Sequence, residues 1–152
     1  MSGTKEIRIF PDVAAIAAAA AEEFVRLAPA TVALSGGNTP RVLYELLAAR
    51  NDIAWDKIQF FFGDERHVPP DHPDSNYRMA EEAMLGRVPV PESNVHRIKT
   101  ENPDAAAAAA EYAAELQQVF HLTDGQFPRF DRCCWAWDRM ATRRRCSPAL
   151  MC

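Results

Sequence analysis

Residues 31–47, TVALSGGNTPRVLYELL, decide the predicted fold of this 152-residue chain. The segment opens with an unbroken apolar run, residues 31–34, which is typical of a parallel strand buried on both faces. Thr39 is the expected N-cap of the helix that follows, with Pro40 at the first helical position, where its missing N–H costs nothing. The apolar stripe of that helix consists of Val42, Leu43, Leu46 and Leu47. The segment therefore predicts a buried strand that turns directly into a helix.

The alternation of strand and helix continues on both sides of this segment. Strands are predicted at residues 5–10, 31–34, 58–62 and 95–98, with a further strand starting at Phe130-Asp131. Helices are predicted from Asp12 to about Leu27, from Pro40, from Asn76 to Leu85, and from Asn102-Pro103-Asp104 to about Phe120. This order predicts βαβ units and a mostly parallel sheet with right-handed crossovers, an α/β fold.

Composition divides the chain into a body and a tail. Residues 1–131 contain 12 Lys and Arg against 20 Asp and Glu, whereas residues 132–152 contain five Arg and one Asp. The tail also holds all four Cys and two of the three Trp. An acidic body without Cys argues against a nucleic-acid-binding domain and against a disulfide scaffold. No apolar run is long enough for a membrane span or a signal peptide, so we expect a cytoplasmic protein.

The turn Ser35-Gly36-Gly37-Asn38-Thr39-Pro40 is the first candidate site. It lies at the carboxyl end of a predicted strand and at the start of a helix, where α/β proteins bind ligands. Glycines allow the backbone to approach an anion, and a helix N-terminus offers N–H groups and partial positive charge. The pattern indicates either a phosphate cradle or a simple connecting turn. It is not a P-loop, because no Gly-Lys-Ser/Thr follows.

The segment Gly63-Asp64-Glu65-Arg66 ends the next strand and is expected on the same edge of the sheet. Arg66 could bind a phosphate or carboxylate through two hydrogen bonds. Asp64 and Glu65 could hydrogen-bond sugar hydroxyls or hold Arg66 in place, and a surface ion-pair cluster is the alternative. The pair of loops favours a sugar-phosphate site. His67 and His72 follow no metal-ligand spacing, so no metal is expected.

The body resembles the 6-phosphogluconolactonase family over residues 5–131. The resemblance rests on ALSGGNTPRVLYELLA, on WDKIQFFFGDERHVPPDHPDSNYRMAEEAML, on VHRI and on the long Ala-rich helix. It implies a Rossmann-like three-layer α/β sandwich, of which residues 1–131 would be the N-terminal part and the C-terminal part would be missing. It also implies hydrolysis of 6-phosphogluconolactone to 6-phosphogluconate in the oxidative pentose phosphate pathway, by a monomer with no metal or organic cofactor.

The resemblance assigns the substrate or phosphate pocket to the two loops. It implies that Ser35, Gly36, Gly37 and Thr39 lie at this pocket and that Asp64 and Arg66 line it. The family continues after Phe-Asp with an apolar strand and then G-x-G-P-D-G-H-T-A-S-L-F-P-G, whose His is the expected general base. This chain instead reads FDRCCWAWDRMATRRRCSPALMC, so it contains no catalytic residue at that place and should have little or no activity.

The genetic code offers a reason for this departure. Suppose that the coding sequence of residues 132–152 is read in the frame that starts at the third base of each codon. In that frame, three pairs of adjacent codons can only spell glycine, namely Trp135–Ala136, Trp137–Asp138 and Met140–Ala141. The other positions permit LLLGMGPDGHTASLFPG, although the key position also permits Asp, Asn or Tyr. We therefore expect a one-base loss near codon 132, which would make residues 132–152 a non-native tail.

Two other functions remain open from the sequence. One is a sugar-phosphate isomerase or deaminase of the same fold, which shares the SGGxTP turn but has a different second loop. The other is a binding protein without activity, either a sugar-phosphate-binding domain or a tail that contacts nucleic acid through Arg143-Arg144-Arg145. A solvated basic tail is the simpler interpretation of those arginines. The resemblance implies a small sugar-phosphate lactone as the partner, and we expect neither nucleic acid nor a membrane.

Overall fold

Four parallel strands form one sheet in the computed structural model, which describes residues 7–134. The strands are β1 (Thr31–Leu34), β2 (Gln59–Phe62), β3 (Val95–His96) and β4 (Arg132–Cys133). Their order across the sheet is β3-β2-β1-β4, and each neighbouring pair runs parallel. The predicted α/β fold with a parallel sheet is confirmed.

Four helices cover the two faces of this sheet. They are α1 (Val13–Leu27), α2 (Asn38–Ala48), α3 (Asn76–Ala83) and α4 (Ala105–Val119), with 3-10 turns at Trp55–Lys57, Leu85–Arg87 and Glu92–Asn94. Phe60 and Phe62 of β2 pack into a core with residues of α1, α2 and α3, whereas Phe61 packs against Tyr112 and Leu116 of α4. Successive side chains of a strand point to opposite faces, so β2 alone contributes to both cores. The predicted three-layer sandwich is therefore confirmed.

Side-chain caps fix the starts of three helices. Asp12 accepts a hydrogen bond from Ala15 N at 2.8 Å, and Asp104 accepts one from Ala106 N at 2.9 Å. Ser75 Oγ accepts a hydrogen bond from Arg78 N at 3.1 Å. Each cap satisfies an N–H group that has no partner within its own helix. The predicted starts of α1 and α4 are confirmed.

The strand predicted at residues 5–10 is wrong. Residues 7–10, the described part of the strand predicted at 5–10, form no strand, and Ile7 and Ile9 are 86% and 92% exposed. Alternating apolar residues form a strand only where a neighbouring strand and a core receive them, and none of the four described strands pairs with this segment.

The predicted cap of α2 is also wrong. Gly37, not Thr39, is the N-cap, and the helix begins at Asn38. Gly37 adopts φ 108°, a backbone conformation that glycine reaches without a steric penalty, and this lets the helix begin earlier. Pro40 still lies in the first turn, where no intrahelical bond to its nitrogen is needed.

Other boundaries move by a few residues. The strand predicted at 95–98 ends at His96, and the helix predicted at 76–85 ends at Ala83. The strand predicted from residue 130 begins at Arg132, so the first residues of the predicted tail extend the sheet. Residues 135–152, and with them most of the predicted tail, lie outside the described residues. Between residues 7 and 134, no helix has the length and apolarity needed to cross a membrane.

Candidate functional site

The two candidate loops leave the sheet side by side. Leu34 and Phe62 are register partners at the ends of β1 and β2, and Gly63 N donates a hydrogen bond to Leu34 O at 2.9 Å. The turn at residues 35–40 and the loop at residues 63–76 therefore begin at the same level of the sheet. We call these two segments together the two-loop rim. Their predicted position on one edge of the sheet is confirmed.

The glycine turn places the N-terminus of α2 at this rim. Gly37 and Asn38 are exposed there, and Ser35, Gly36 and Thr39 are half-buried. The first N–H groups of a helix have no intrahelical partner, and the helix dipole adds partial positive charge at this end. The turn therefore has the geometry of an anion-binding site.

A buried tyrosine fixes the backbone of each loop where it leaves the sheet. The Tyr44 hydroxyl accepts a hydrogen bond from Ser35 N and donates one to Ser35 O, both at 3.0 Å. The Tyr112 hydroxyl makes the same pair of bonds with Phe62, at 2.9 Å to N and 3.0 Å to O. Burial raises the pKa of both tyrosines above the ordinary value, so both hydroxyls remain neutral at physiological pH. Sequence reasoning missed both residues.

Glu65 lies at the N-terminus of α3. Its Oε1 accepts hydrogen bonds from Asn76 N at 2.7 Å and from Arg66 N at 2.8 Å. Its Oε2 accepts hydrogen bonds from Tyr77 N at 2.8 Å and from Ser75 Oγ at 3.2 Å. These four bonds favour the second of the two roles considered for Glu65, holding the loop around Arg66, over contact with sugar hydroxyls.

Arg66 lies against the glycine turn of the other loop. Its Nη1 donates a hydrogen bond to Asn76 Oδ1 and contacts Asp74 O at 3.4 Å. A Cβ atom added to Gly36 would overlap the Asn76 amide and would lie 3.0 Å from Arg66 Nη1. A side chain at residue 36 would thus occupy the place where the guanidinium meets the turn. The side chain of Asp64 is exposed, and its backbone carbonyl accepts a hydrogen bond from Asn76 Nδ2 at 3.0 Å.

An apolar groove adjoins the rim on the side of β4. It has a volume of about 280 Å³ and lies between α1, α2 and residues 132–134, with Thr39 and Pro40 in its wall. Ser35 Oγ donates a hydrogen bond to Cys134 O at this place. Burial raises the pKa of the Cys134 thiol to about 11, so the thiol is neutral at physiological pH.

His67 and His96 contact protein groups of the described residues. His67 Nε2 lies 2.7 Å from Asn102 O, and the ring of His96 stacks on Phe61 at 4.5 Å between centroids. No group of three or more His, Cys, Asp or Glu within residues 7–134 is arranged to hold a metal ion.

Comparison with known proteins identifies the family. The family of glucosamine-6-phosphate isomerases/6-phosphogluconolactonase matches residues 8–135 of the chain. This match covers most of the chain and, together with the α/β fold, defines a protein of the sugar-phosphate isomerase and lactonase class. The chain belongs to this family.

Relatives within the family carry the lactonase name. The chain is 50% identical over 101 residues to the 6-phosphogluconolactonase of Nostoc sp. and 52% identical over 101 residues to that of Synechocystis sp.. Each alignment covers 66% of this chain and 42% of the relative, so the chain spans less than half the length of these relatives. The solved 6-phosphogluconolactonase of Trypanosoma cruzi superposes with a TM-score of 0.73 at 28% identity, over 88% of this chain and 59% of that one.

Proposed function

We propose that this chain is the phosphate-binding part of a 6-phosphogluconolactonase, a hydrolase that opens 6-phosphogluconolactone to 6-phosphogluconate. The observation that carries the proposal is the Arg66 guanidinium held against Gly36 at the N-terminus of α2. The names of the relatives support the choice of a lactone over an amino sugar. Ser35, Gly36, Gly37, Asn38 and Thr39 would surround the phosphate together with Arg66.

The rim offers groups that bind an anion, and the family resemblance places the general base outside it. A guanidinium and a helix N-terminus both stabilise a phosphate dianion through charge-assisted hydrogen bonds. The base that the family resemblance expects after Asp131 is absent from this sequence, and loss of such a group costs about 10²–10⁴-fold in rate. We therefore propose that the chain binds the ligand without appreciable turnover. We also propose a cytoplasmic monomer that needs no cofactor.

The origin of the tail is a separate part of the proposal. Residues 132–152 would be the out-of-frame reading of a family segment, because three forced glycines fall as G-x-G-x-x-G in the shifted frame. Sequencing the gene across codons 131–141 tests this origin. Coding DNA that cannot spell G-x-G-x-x-G one frame over would refute it.

Calorimetric titration tests the proposed ligand. We expect the 152-residue chain to bind 6-phosphogluconate saturably and more tightly than glucosamine 6-phosphate. Arg66→Ala should weaken binding by about 10–100-fold, because it removes charge-assisted hydrogen bonds. Arg87→Ala, which removes the same charge beyond the opposite end of α3, is the matched control and should bind normally. A preference for glucosamine 6-phosphate would favour the isomerase or deaminase, and no binding of either ligand would overturn the proposal.

A further inference from the structure

We infer that Asn76 is a positioning residue for the anion site, one that acts through Arg66 and contacts no ligand itself. The inference deepens the proposed function and rests on it for the identity of the ligand. Asn76 is 2% exposed, and its side-chain amide lies between the two loops of the rim. Sequence reasoning identified this residue only as the start of a helix.

The Asn76 amide joins three parts of the rim. Its Oδ1 accepts a hydrogen bond from Arg66 Nη1, and its Nδ2 donates one to Asp64 O at 3.0 Å. Its Oδ1 is also the nearest atom to the place that a Cβ on Gly36 would take. A guanidinium can only donate and a carbonyl can only accept, so the two partners determine which way the amide faces.

The backbone of Asn76 is held in turn by its neighbours. Its N–H donates to Glu65 Oε1 at 2.7 Å, and the preceding Ser75 caps α3. Asn76 is therefore a fixed support for an arginine that is itself exposed. An arginine held in one geometry loses less rotamer freedom when an anion binds, and this lowers the cost of binding. Arg66 and Asn76 are ten residues apart in the sequence. Glu65 Oε1 brings them together, because it accepts hydrogen bonds from the backbone N–H groups of both.

Two substitutions of Asn76 separate orientation from charge. Asn76→Ala removes the Oδ1 acceptor and leaves the Arg66 guanidinium with only the 3.4 Å contact to Asp74 O, so it is no longer held in one geometry. We therefore expect about tenfold weaker binding of 6-phosphogluconate. Asn76→Asp is nearly isosteric, but its carboxylate compensates the charge of Arg66 and faces the Asp64 carbonyl without a donor. We expect Asn76→Asp to bind more weakly than Asn76→Ala, and it serves as the test where the alanine variant does not fold.

Asn94 offers a matched control for the loss of a buried amide. It is 8% exposed, and its Nδ2 donates to Asp56 O at 3.0 Å and to Ile58 O at 3.1 Å. Asn94→Ala should lower the melting temperature by an amount similar to Asn76→Ala, because both leave backbone carbonyls without a donor. It should leave the dissociation constant unchanged. A purely structural role for Asn76 predicts that the two variants behave alike.

The experiment measures dissociation constants of the full 152-residue chain for 6-phosphogluconate and for inorganic phosphate, with melting temperatures alongside. We expect weaker binding of both ligands by the Asn76 variants and no further loss when Asn76→Ala is added to Arg66→Ala. Normal binding by a folded Asn76 variant, or an additive loss in the double variant, would overturn the inference. If the parent chain binds neither ligand, the proposed function fails. The arginine side-chain NMR signal then decides the role of Asn76: a restricted Arg66 guanidinium in the parent and in Asn94→Ala but not in Asn76→Ala supports it, and equal mobility in all three rejects it.

Discussion

Replacing Glu65 by alanine should destabilise the fold rather than merely weaken ligand binding. The carboxylate accepts hydrogen bonds from Asn76 N at 2.7 Å and Tyr77 N at 2.8 Å, two of the N–H groups at the start of α3. Alanine removes both acceptors, and the half-buried surroundings limit how far water can replace them. The loop that places Arg66 at the rim then loses its main attachment to α3.

The size of the effect follows from these bonds. Loss of a capping acceptor costs about 1 kcal/mol for each N–H group, and a carboxylate at a helix N-terminus adds about 0.3–1 kcal/mol. Glu65→Ala should therefore lower the free energy of unfolding by about 2–3 kcal/mol. For a chain of this length that corresponds to a decrease of about 4–12 °C in the melting temperature. Glu65→Gln keeps one acceptor oxygen and should have an intermediate effect.

Urea and thermal unfolding followed by circular dichroism measure this loss. Glu45→Ala is the control, because Glu45 is an exposed carboxylate whose 3.2 Å ion pair with Arg41 lies on the surface of α2. Surface pairs of this kind contribute about 0–1 kcal/mol, so the control should unfold almost as the parent does. A Glu65→Ala variant as stable as Glu45→Ala would refute the argument that Glu65 holds the loop.

Three further predictions concern the strand ends and the turn. Tyr112→Phe should lower the free energy of unfolding by about 1–3 kcal/mol, because the N–H and C=O at the end of β2 lose their partner; urea unfolding curves that coincide would disprove it. Hydrogen bonds from the backbone N–H groups of Thr31 and Ala30 lower the pKa of Asp131. The stability this group contributes is present above its ordinary pKa of about 4 and is lost as pH falls through the lower folded value; acid unfolding of Asp131→Asn should therefore show a weaker pH dependence, and an unchanged profile would count against it. Gly36→Ala should weaken 6-phosphogluconate binding at least tenfold by displacing Asn76, and calorimetry showing parental affinity would contradict this.

Local sequence patterns predicted the elements whose causes are local. The apolar run at residues 31–34 and the aromatic run before Gly63 predicted buried strands from residue type alone, and helices do cover both faces of the sheet there. Asp12 and Asp104 begin their helices because each carboxylate reaches an N–H group only two or three residues further along the chain. The order of strands and helices then placed both loops on one edge.

The errors and omissions have long-range causes. The alternation at residues 5–10 carries no information on whether a neighbouring strand exists, and residues 7–10 have none among the described strands. The Tyr112 hydroxyl hydrogen-bonds the backbone of Phe62, which is 50 residues away in the sequence. The Asp131 carboxylate accepts a hydrogen bond from Thr31 N, which is 100 residues away. A tyrosine within a helical apolar stripe resembles any other core residue, so its hydroxyl partner emerges only from the packed structure.

The sequence predicted only part of the candidate site, because the rest depends on contacts between distant segments. Residue type and strand order indicated Arg66 and the glycine turn, because an anion needs donors at the carboxyl ends of strands. The roles of Glu65 and Asn76 in the second loop depend on the position of α3, which could not be predicted from the sequence. Glu65 accepts hydrogen bonds from the start of α3, Asn76 accepts one from the Arg66 guanidinium, and Arg66 presents its charge toward the turn.

The most direct test of the central claim is a titration of the isotope-labelled 152-residue chain with 6-phosphogluconate, followed by two-dimensional NMR of its backbone amides and arginine side chains. Binding at the two-loop rim predicts saturable shifts of the Gly36, Gly37 and Asn38 amides and of the Arg66 guanidinium, with the far ends of the helices unchanged. Saturable shifts that leave these four residues unaffected, or no shifts at millimolar ligand, would contradict the assignment of this rim as the sugar-phosphate site.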